Sequence, residues 1–403
     1  MNSLVRYLSV ASVFLMLSAS ALYSQRRNVN YDEAKVPQYE LPDPLVFESG
    51  KKVKNARQWT SKRRAEVVEV FADQMFGHVP AASEGVHFAL VSEQEVYGGL
   101  GVRKVVRVFL DESDKHWFDV LIHLPKGVDG PVPMFVGLNF KSNAATLDER
   151  AGFRWPYEMV LKAGMGVATA WRDAVEPDGK DSNIKSETDV CRDGGVRSWY
   201  NEGGDWGAIS AWAWGLSRIV DYLETDPAVD KDKLIVIGHS RLGKAALWTG
   251  ANDLRFDMVI SNDSGCCGAA ISRRKFGETF EVIGTSFPHW FTREFDKYKG
   301  KEEIFPADQH WLVSLVAPRP VYVASATEDL WADPKGEWLS AKHAGEVYKL
   351  FGLSGLGDKM PGPDSPDREN HVGYHLRTGK HNIVAYDWQQ YIEFVKTHFK
   401  DKK

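Results

Sequence analysis

The sequence predicts a three-layer α/β protein: a mostly parallel central sheet with helices on both faces. Three observations carry that prediction. Short β-branched or aromatic runs alternate with segments of helical periodicity, the pattern of strands joined by crossover helices. One apolar run passes through a tight turn directly into a helix. The chain of 403 residues, 43% apolar and 26% charged, has the composition of an ordinary soluble protein and the length for one large α/β domain.

In chain order, a polar, proline-dotted lead-in over residues 22–58 precedes a helix expected over 60–75, with Ser61 as its cap. Strands are expected at 104–110, 118–124, 134–138 and 166–170, each bounded by Gly, Pro or charged turns. Residues 172–205, dominated by Gly, Asp and Ser, read as a long surface loop. Over 209–225, Trp212, Leu216, Ile219, Val220 and Leu223 share one helical face. A buried strand at 234–237 leads through a turn into a helix at 242–250. Strands at 258–261 and 320–324 and an amphipathic helix at 384–399 complete the pattern. With no internal repeat or linker, residues 59–403 form a single domain.

Composition excludes several functions. Fifty basic against 55 acidic residues leave a net charge of −5, so no basic field exists for a nucleic-acid backbone. Three cysteines are too few for a disulfide framework or a four-thiolate zinc site. Adjacent Cys266 and Cys267 are expected as free buried thiols, with Cys191 far upstream in the polar loop. The 14 Trp, 14 Tyr and 20 Phe supply either core or sugar-stacking surfaces. At the N-terminus, Arg6, the apolar run 7–17 and Ser18-Ala19-Ser20-Ala21 read as a secretory signal cut after Ala21. The run is too short to span a bilayer, and no other stretch is long enough for a stable membrane association. Export to the periplasm or the medium is the expectation.

The chemistry concentrates at Gly238-His239-Ser240-Arg241-Leu242-Gly243-Lys244, between the strand at 234–237 and its helix. A strand–turn–helix with serine at the apex is a nucleophile elbow, the centre of an α/β-hydrolase fold. The sharp turn needs small residues, and the helix start offers N–H groups to an oxyanion. The second glycine falls one position later than in the generic G-x-S-x-G pattern. A serine capping an ordinary turn is the bland alternative. Cations at 241 and 244 oppose the helix dipole, which favours a functional reason for them.

In this fold the acid and the histidine follow the serine. Glu328, Asp329 and Asp333 all follow the strand at 320–324 and compete for the acid's place. Of the later histidines, His343 and His398 fall in helices, and His371 and His375 read as structural or rim residues. His381, in a loop just before the last helix, can reach back to the elbow as general base.

These residues resemble the glucuronoyl esterases, carbohydrate esterase family 15. That family's elbow reads G-x-S-R-x-G-K, as 238–244 does here, which accounts for the displaced glycine. Further matching blocks are Asn262-Asp263-Ser264-Gly265, Gly277-Glu278, Trp331-Ala332-Asp333-Pro334, Gly379-Lys380-His381 and Asp387-Trp388. The resemblance covers roughly residues 50–400 and implies cleavage of esters between the glucuronic acid of glucuronoxylan and lignin alcohols, without metal or organic cofactor. It implies Ser240 as nucleophile, His381 as general base and Arg241 beside the oxyanion. Lys244 and Glu278 would hold sugar hydroxyls, and Trp331 would wall the uronate pocket. The family places its triad acid either in the block matching Asp263 or after the strand matching 320–324; here both positions are acidic. Asp329 is expected to orient His381, with Asp263, one methylene shorter than the family's early Glu, in support. The fungal disulfide flanking the site is absent, since its positions hold His239 and Asn382. A carbohydrate acetyl or feruloyl esterase would use the same triad without Arg241, Lys244, Glu278 and Trp331. A catalytically silent carbohydrate-binding protein would have no need to retain the triad.

Overall fold

The computed structural model describes residues 29–147, 155–179, 195–200 and 204–400. The expected signal segment and Cys191 lie outside the described residues. The strands are β1 (His87–Val96), β2 (Gly101–Phe109), β3 (Trp117–Pro125), β4 (Val132–Asn139), β5 (Gly166–Trp171), β6 (Val229–His239), β7 (Met258–Asn262), β8 (Val321–Ala326) and β9 (Val372–Arg377). They form one sheet in the order β1-β2-β3-β5-β4-β6-β7-β8-β9. From β5 to β9 every pairing is parallel, while β1, β2 and β3 form an antiparallel flank.

Side chains on successive residues of a strand face opposite ways, and the core divides accordingly. Val136, Leu234 and Val236 face a cluster with Trp212, Leu216, Trp248 and Trp338. Phe135, Ile235 and Ile237 face a second cluster with Tyr157, Val160, Trp388 and Tyr391. The first layer comprises α1 (Arg64–Phe71), α3 (Ala208–Leu223), α4 (Arg241–Asn252) and α5 (Pro334–Lys349). The second comprises α2 (Tyr157–Lys162) and α6 (Ala385–Phe399). This is the α/β-hydrolase arrangement. Most of the Trp load is core: Trp59, Trp212, Trp214, Trp248 and Trp388 are fully buried.

Several elements differ from expectation for identifiable reasons. The helical stretch expected over 60–75 begins earlier, at Ala56, where the Asn55 side chain accepts the Gln58 N–H; Asn55 is the cap, and Ser61 lies inside. β1 was not expected. It is an edge strand exposed along nearly its whole length, so it lacks the apolar alternation that marks a half-buried strand. β9 carries no apolar run either, because Tyr374, His375 and Arg377 make it polar in sequence although it is buried. His375 is accommodated by Tyr322 Oη at 3.1 Å and Asp387 at 2.8 Å. The stretch expected as a surface loop starts with a buried helical turn, Arg172–Val175. Cys266 and Cys267 are free and buried, as expected.

The segment 30–44 packs on the body. The Asn30 carbonyl accepts the Gly277 N–H, and the Pro42 carbonyl accepts from the Trp311 indole. Glu33 pairs with Arg274. Because β4–β9 run parallel, the loops after β5, β6, β7, β8 and β9 all open on one edge of the sheet, where α/β proteins bind ligands.

Candidate active site

Ser240 leaves β6 with φ 57° and ψ −131°, a backbone strained for any residue with a Cβ. The strain is held from both sides: the Ser240 N–H donates to the Asn262 carbonyl of β7 at 2.9 Å, and its carbonyl accepts the Gly243 N–H at 2.8 Å. Gly238 makes the turn possible, since a Cβ there would sit 1.9 Å from the Leu242 carbonyl oxygen. Gly243 lies where a Cβ would approach the Ser264 side chain to 2.9 Å, which explains a glycine one position later than the generic pattern. The Gly243 and Lys244 N–H groups both turn back to the Ser240 carbonyl, so α4 starts immediately beside Ser240 with its positive dipole end at the turn.

Across the sheet edge, His381 Nδ1 meets Asp329 Oδ2 at 2.6 Å. The Asp329 side chain is 5% exposed and that of His381 41%, so one ring face reaches the cleft while the acid stays shielded. The His381 ring lies 4.5 Å, centroid to centroid, from that of His239, the residue before Ser240. The loop carrying His381 is braced by Arg377, which donates to the carbonyls of Lys380 (2.8 Å) and Asn382 (3.0 Å) and pairs with Asp387. It is also tied to the Asp329 loop, where the Glu328 N–H donates to the Gly379 carbonyl at 2.8 Å. Of the other two competing acids, Glu328 is exposed. Asp333 caps α5 and binds Arg274 at 2.7 Å.

Asp263 is fully buried and sits at the end of β7 with φ 46°. One oxygen of each acid and one His381 ring nitrogen lie within 4.8 Å of one another. The partner of Asp263 Oδ2, however, is the Asn382 backbone N–H at 3.3 Å. Burial, reinforced by Glu337, Asp329 and Asp387, pushes this carboxyl well above the usual carboxylate range. Glu337 lies behind it, accepting from Gly265 N at 2.9 Å and Ser325 Oγ at 2.6 Å. Burial raises Glu337 to about 8 against those hydrogen bonds.

On the other side of Ser240, Arg241 Nη1 reaches Asp178 Oδ2 at 2.6 Å. Its guanidinium carbon lies 4.7 Å from the centre of Trp290 and 4.9 Å from that of Phe287. The buried Lys244 ammonium donates to the Ser264 carbonyl and sits 5.9 Å from the centre of Trp290. The Glu278 N–H donates to the Trp331 carbonyl at 2.9 Å. A Cβ at Gly277 would sit 2.4 Å from that same carbonyl oxygen, so glycine permits this approach. Burial raises the Glu278 carboxyl, opposed by Lys244, Arg241 and the Trp331 indole. The eight residues singled out from the sequence thus lie on the loops and helix starts of one edge, in two groups about Ser240. Asp178, Arg377 and Glu337 are additions that sequence reasoning missed.

The chain is similar to known proteins over most of its length. The family model for fungal glucuronyl esterases matches residues 108–352. A carbohydrate esterase designated MZ0003, from an unknown prokaryotic organism, is 43% identical over 94% of this chain and 94% of its own. The solved glucuronoyl esterase of Solibacter usitatus is 39% identical, covering 90% of this chain and 99% of its own, with a TM-score of 0.83. The 4-O-methyl-glucuronoyl methylesterase 1 of Phanerochaete chrysosporium is 26% identical over 78% of this chain and 62% of its own. The chain belongs to the glucuronoyl esterases, the carboxylic ester hydrolases of carbohydrate esterase family 15.

Proposed function

We propose that this protein cleaves esters of glucuronic acid or its 4-O-methyl derivative, as they link glucuronoxylan to lignin alcohols, through a Ser240–His381–Asp329 triad. The single observation carrying the triad is the 2.6 Å contact between His381 and the shielded Asp329, on a braced loop beside the strained Ser240 turn. Asp329 fixes the tautomer with the proton on Nδ1, leaving Nε2 to take the Ser240 proton. Ser240 Oγ attacks the C6 carbonyl, forming the C–O bond of a tetrahedral intermediate. Collapse breaks the bond to the alcohol, which leaves with the proton from His381. Water, deprotonated by His381, then attacks the glucuronoyl-enzyme, and Ser240 departs protonated.

The N-terminal N–H groups of α4 and the Arg241 guanidinium are arranged to stabilise the oxyanion, where a fixed cation acts strongly because water is scarce. Lys244 and Glu278 give the sugar hydroxyls charged partners, the means by which a site rejects an analogue lacking them. Trp331, half-buried beside Glu278, walls the pocket. Asp263 supports the loop of His381 through the Asn382 N–H rather than contacting the imidazole.

Residues 1–21 act as an export signal in this reading, 22–58 as a lead-in and 59–403 as the catalytic domain. No helix among the described residues is long and apolar enough to cross a membrane. Hydrolysis of methyl or benzyl glucuronate, compared with acetylated xylan, tests the proposal. The uronate ester is expected to be cleaved by the wild type and not by Ser240→Ala. Activity on the acetyl ester alone would discard the uronate assignment while keeping the fold.

A further inference from the structure

A cation at the start of α4 is electrostatically misplaced unless something holds it there. Asp178 does. Its side chain is fully buried, and four side chains from three segments converge on it. Oδ2 faces Arg241 Nη1 at 2.6 Å and Arg172 Nη1 at 2.8 Å. Oδ1 accepts the Trp290 indole N–H at 2.7 Å and the His289 Nε2–H at 2.9 Å. Burial alone would raise the acid, but His289, Arg172, Arg241 and Trp290 together hold it well below the usual carboxylate range. Asp178 follows β5, Arg241 opens α4, and His289 and Trp290 form a separate turn between β7 and β8.

We propose that Asp178 is the positioning residue for Arg241, fixing the guanidinium beside Ser240 in the orientation that meets the oxyanion. The inference rests on the reading of Arg241 given above. The carboxylate takes one Nη, and the Trp290 ring, itself anchored on the other carboxylate oxygen, lies against the guanidinium. A long, flexible side chain is thereby set before substrate arrives, so its orientation costs nothing at the transition state. Asp178 touches no reacting atom and acts only through Arg241.

The test is a double-mutant cycle on benzyl glucuronate, reading kcat and KM separately. Arg241→Ala is expected to lower kcat by about 100-fold. Asp178→Asn should lower it by about 10- to 50-fold with KM within about twofold, and should lower thermal stability because buried Arg172 loses one of its acidic partners, keeping Asp173. On the Arg241→Ala background, Asp178→Asn should change kcat by less than about twofold. An equal loss in both backgrounds would make Asp178 a support of the fold alone and overturn the inference. Asp178→Glu, which keeps the charge but moves it by a methylene, gives the same cycle in a variant that retains the ion pairs. An Arg241→Ala enzyme with unchanged kcat would instead overturn the reading of Arg241 on which the inference rests.

Discussion

Two buried carboxyls flank the Ser240 turn, and their surroundings drive them to opposite charge states. Asp178 and Asp263 are both essentially inaccessible to solvent. Around Asp178 stand Arg172, Arg241, His289 and Trp290, all donors, and the acid is held ionised. Around Asp263, with His239 Nδ1 4.0 Å from Oδ2, the acids Glu337, Asp329 and Asp387 outweigh Arg377, and with burial they push the carboxyl toward its neutral form. Burial is common to both; the neighbours decide the outcome. In the proposed mechanism the first flank keeps a cation fixed beside the oxyanion. The other holds Asp263 toward its neutral form and leaves Asp329 as the carboxyl in contact with His381.

Removing the apex common to both flanks should have the largest effect: Ser240→Ala is expected to lower kcat on benzyl glucuronate by at least about 10⁵-fold while the protein still unfolds cooperatively. Next in size is the imidazole flank. Asp329→Asn keeps the shape but allows the wrong His381 tautomer, and should cost about 10³- to 10⁴-fold in kcat. The cationic flank is sharpened by Arg241→Ala, with about 10²-fold lost in kcat and less in KM; a loss confined to KM would mean it binds substrate and transition state alike.

The smallest effect is one of stability. Glu337 has a folded pKa raised to about 8 from an ordinary 4.5, so between those values the folded protein holds a proton that the unfolded chain releases. Its contribution is present in full below pH 4.5 and is lost as pH rises through 8. Glu337→Gln keeps acceptors for Gly265 and Ser264 and can donate to Ser325. Between pH 5 and 9 the variant should lose on the order of 4 kcal/mol less stability than the wild type in parallel urea titrations. Equal slopes would mean that Glu337 is ionised at neutral pH.

How much of this was legible in the sequence follows from which signal each feature leaves. The strands from β2 to β8 are apolar runs, and the elbow declares itself through Gly238, Ser240 and its strand-to-helix context. His381 is marked by its place in a loop just before α6. β1 and β9 left no such signal, one because it is an exposed edge, the other because polar pairs such as His375–Asp387 are buried inside it. Asp178 was the least legible. It lies in a Gly-, Asp- and Ser-rich stretch whose composition matches a solvated loop, and only the convergence of Arg172, Arg241 and Trp290 reveals it. The choice between Asp329 and Asp263 also needed geometry, since both follow strands at the same edge.

The most direct test of the account is the kcat of Asp329→Asn against that of Asp263→Asn on the same glucuronate ester at neutral pH. Because Asp263 is held toward its neutral form, an isosteric amide should change little, within about fivefold, whereas Asp329→Asn should fall by at least about 10³-fold. The reverse ranking, or equal losses, would contradict the proposed assignment of Asp329 as the partner of His381, with Asp263 held toward its neutral form beside it.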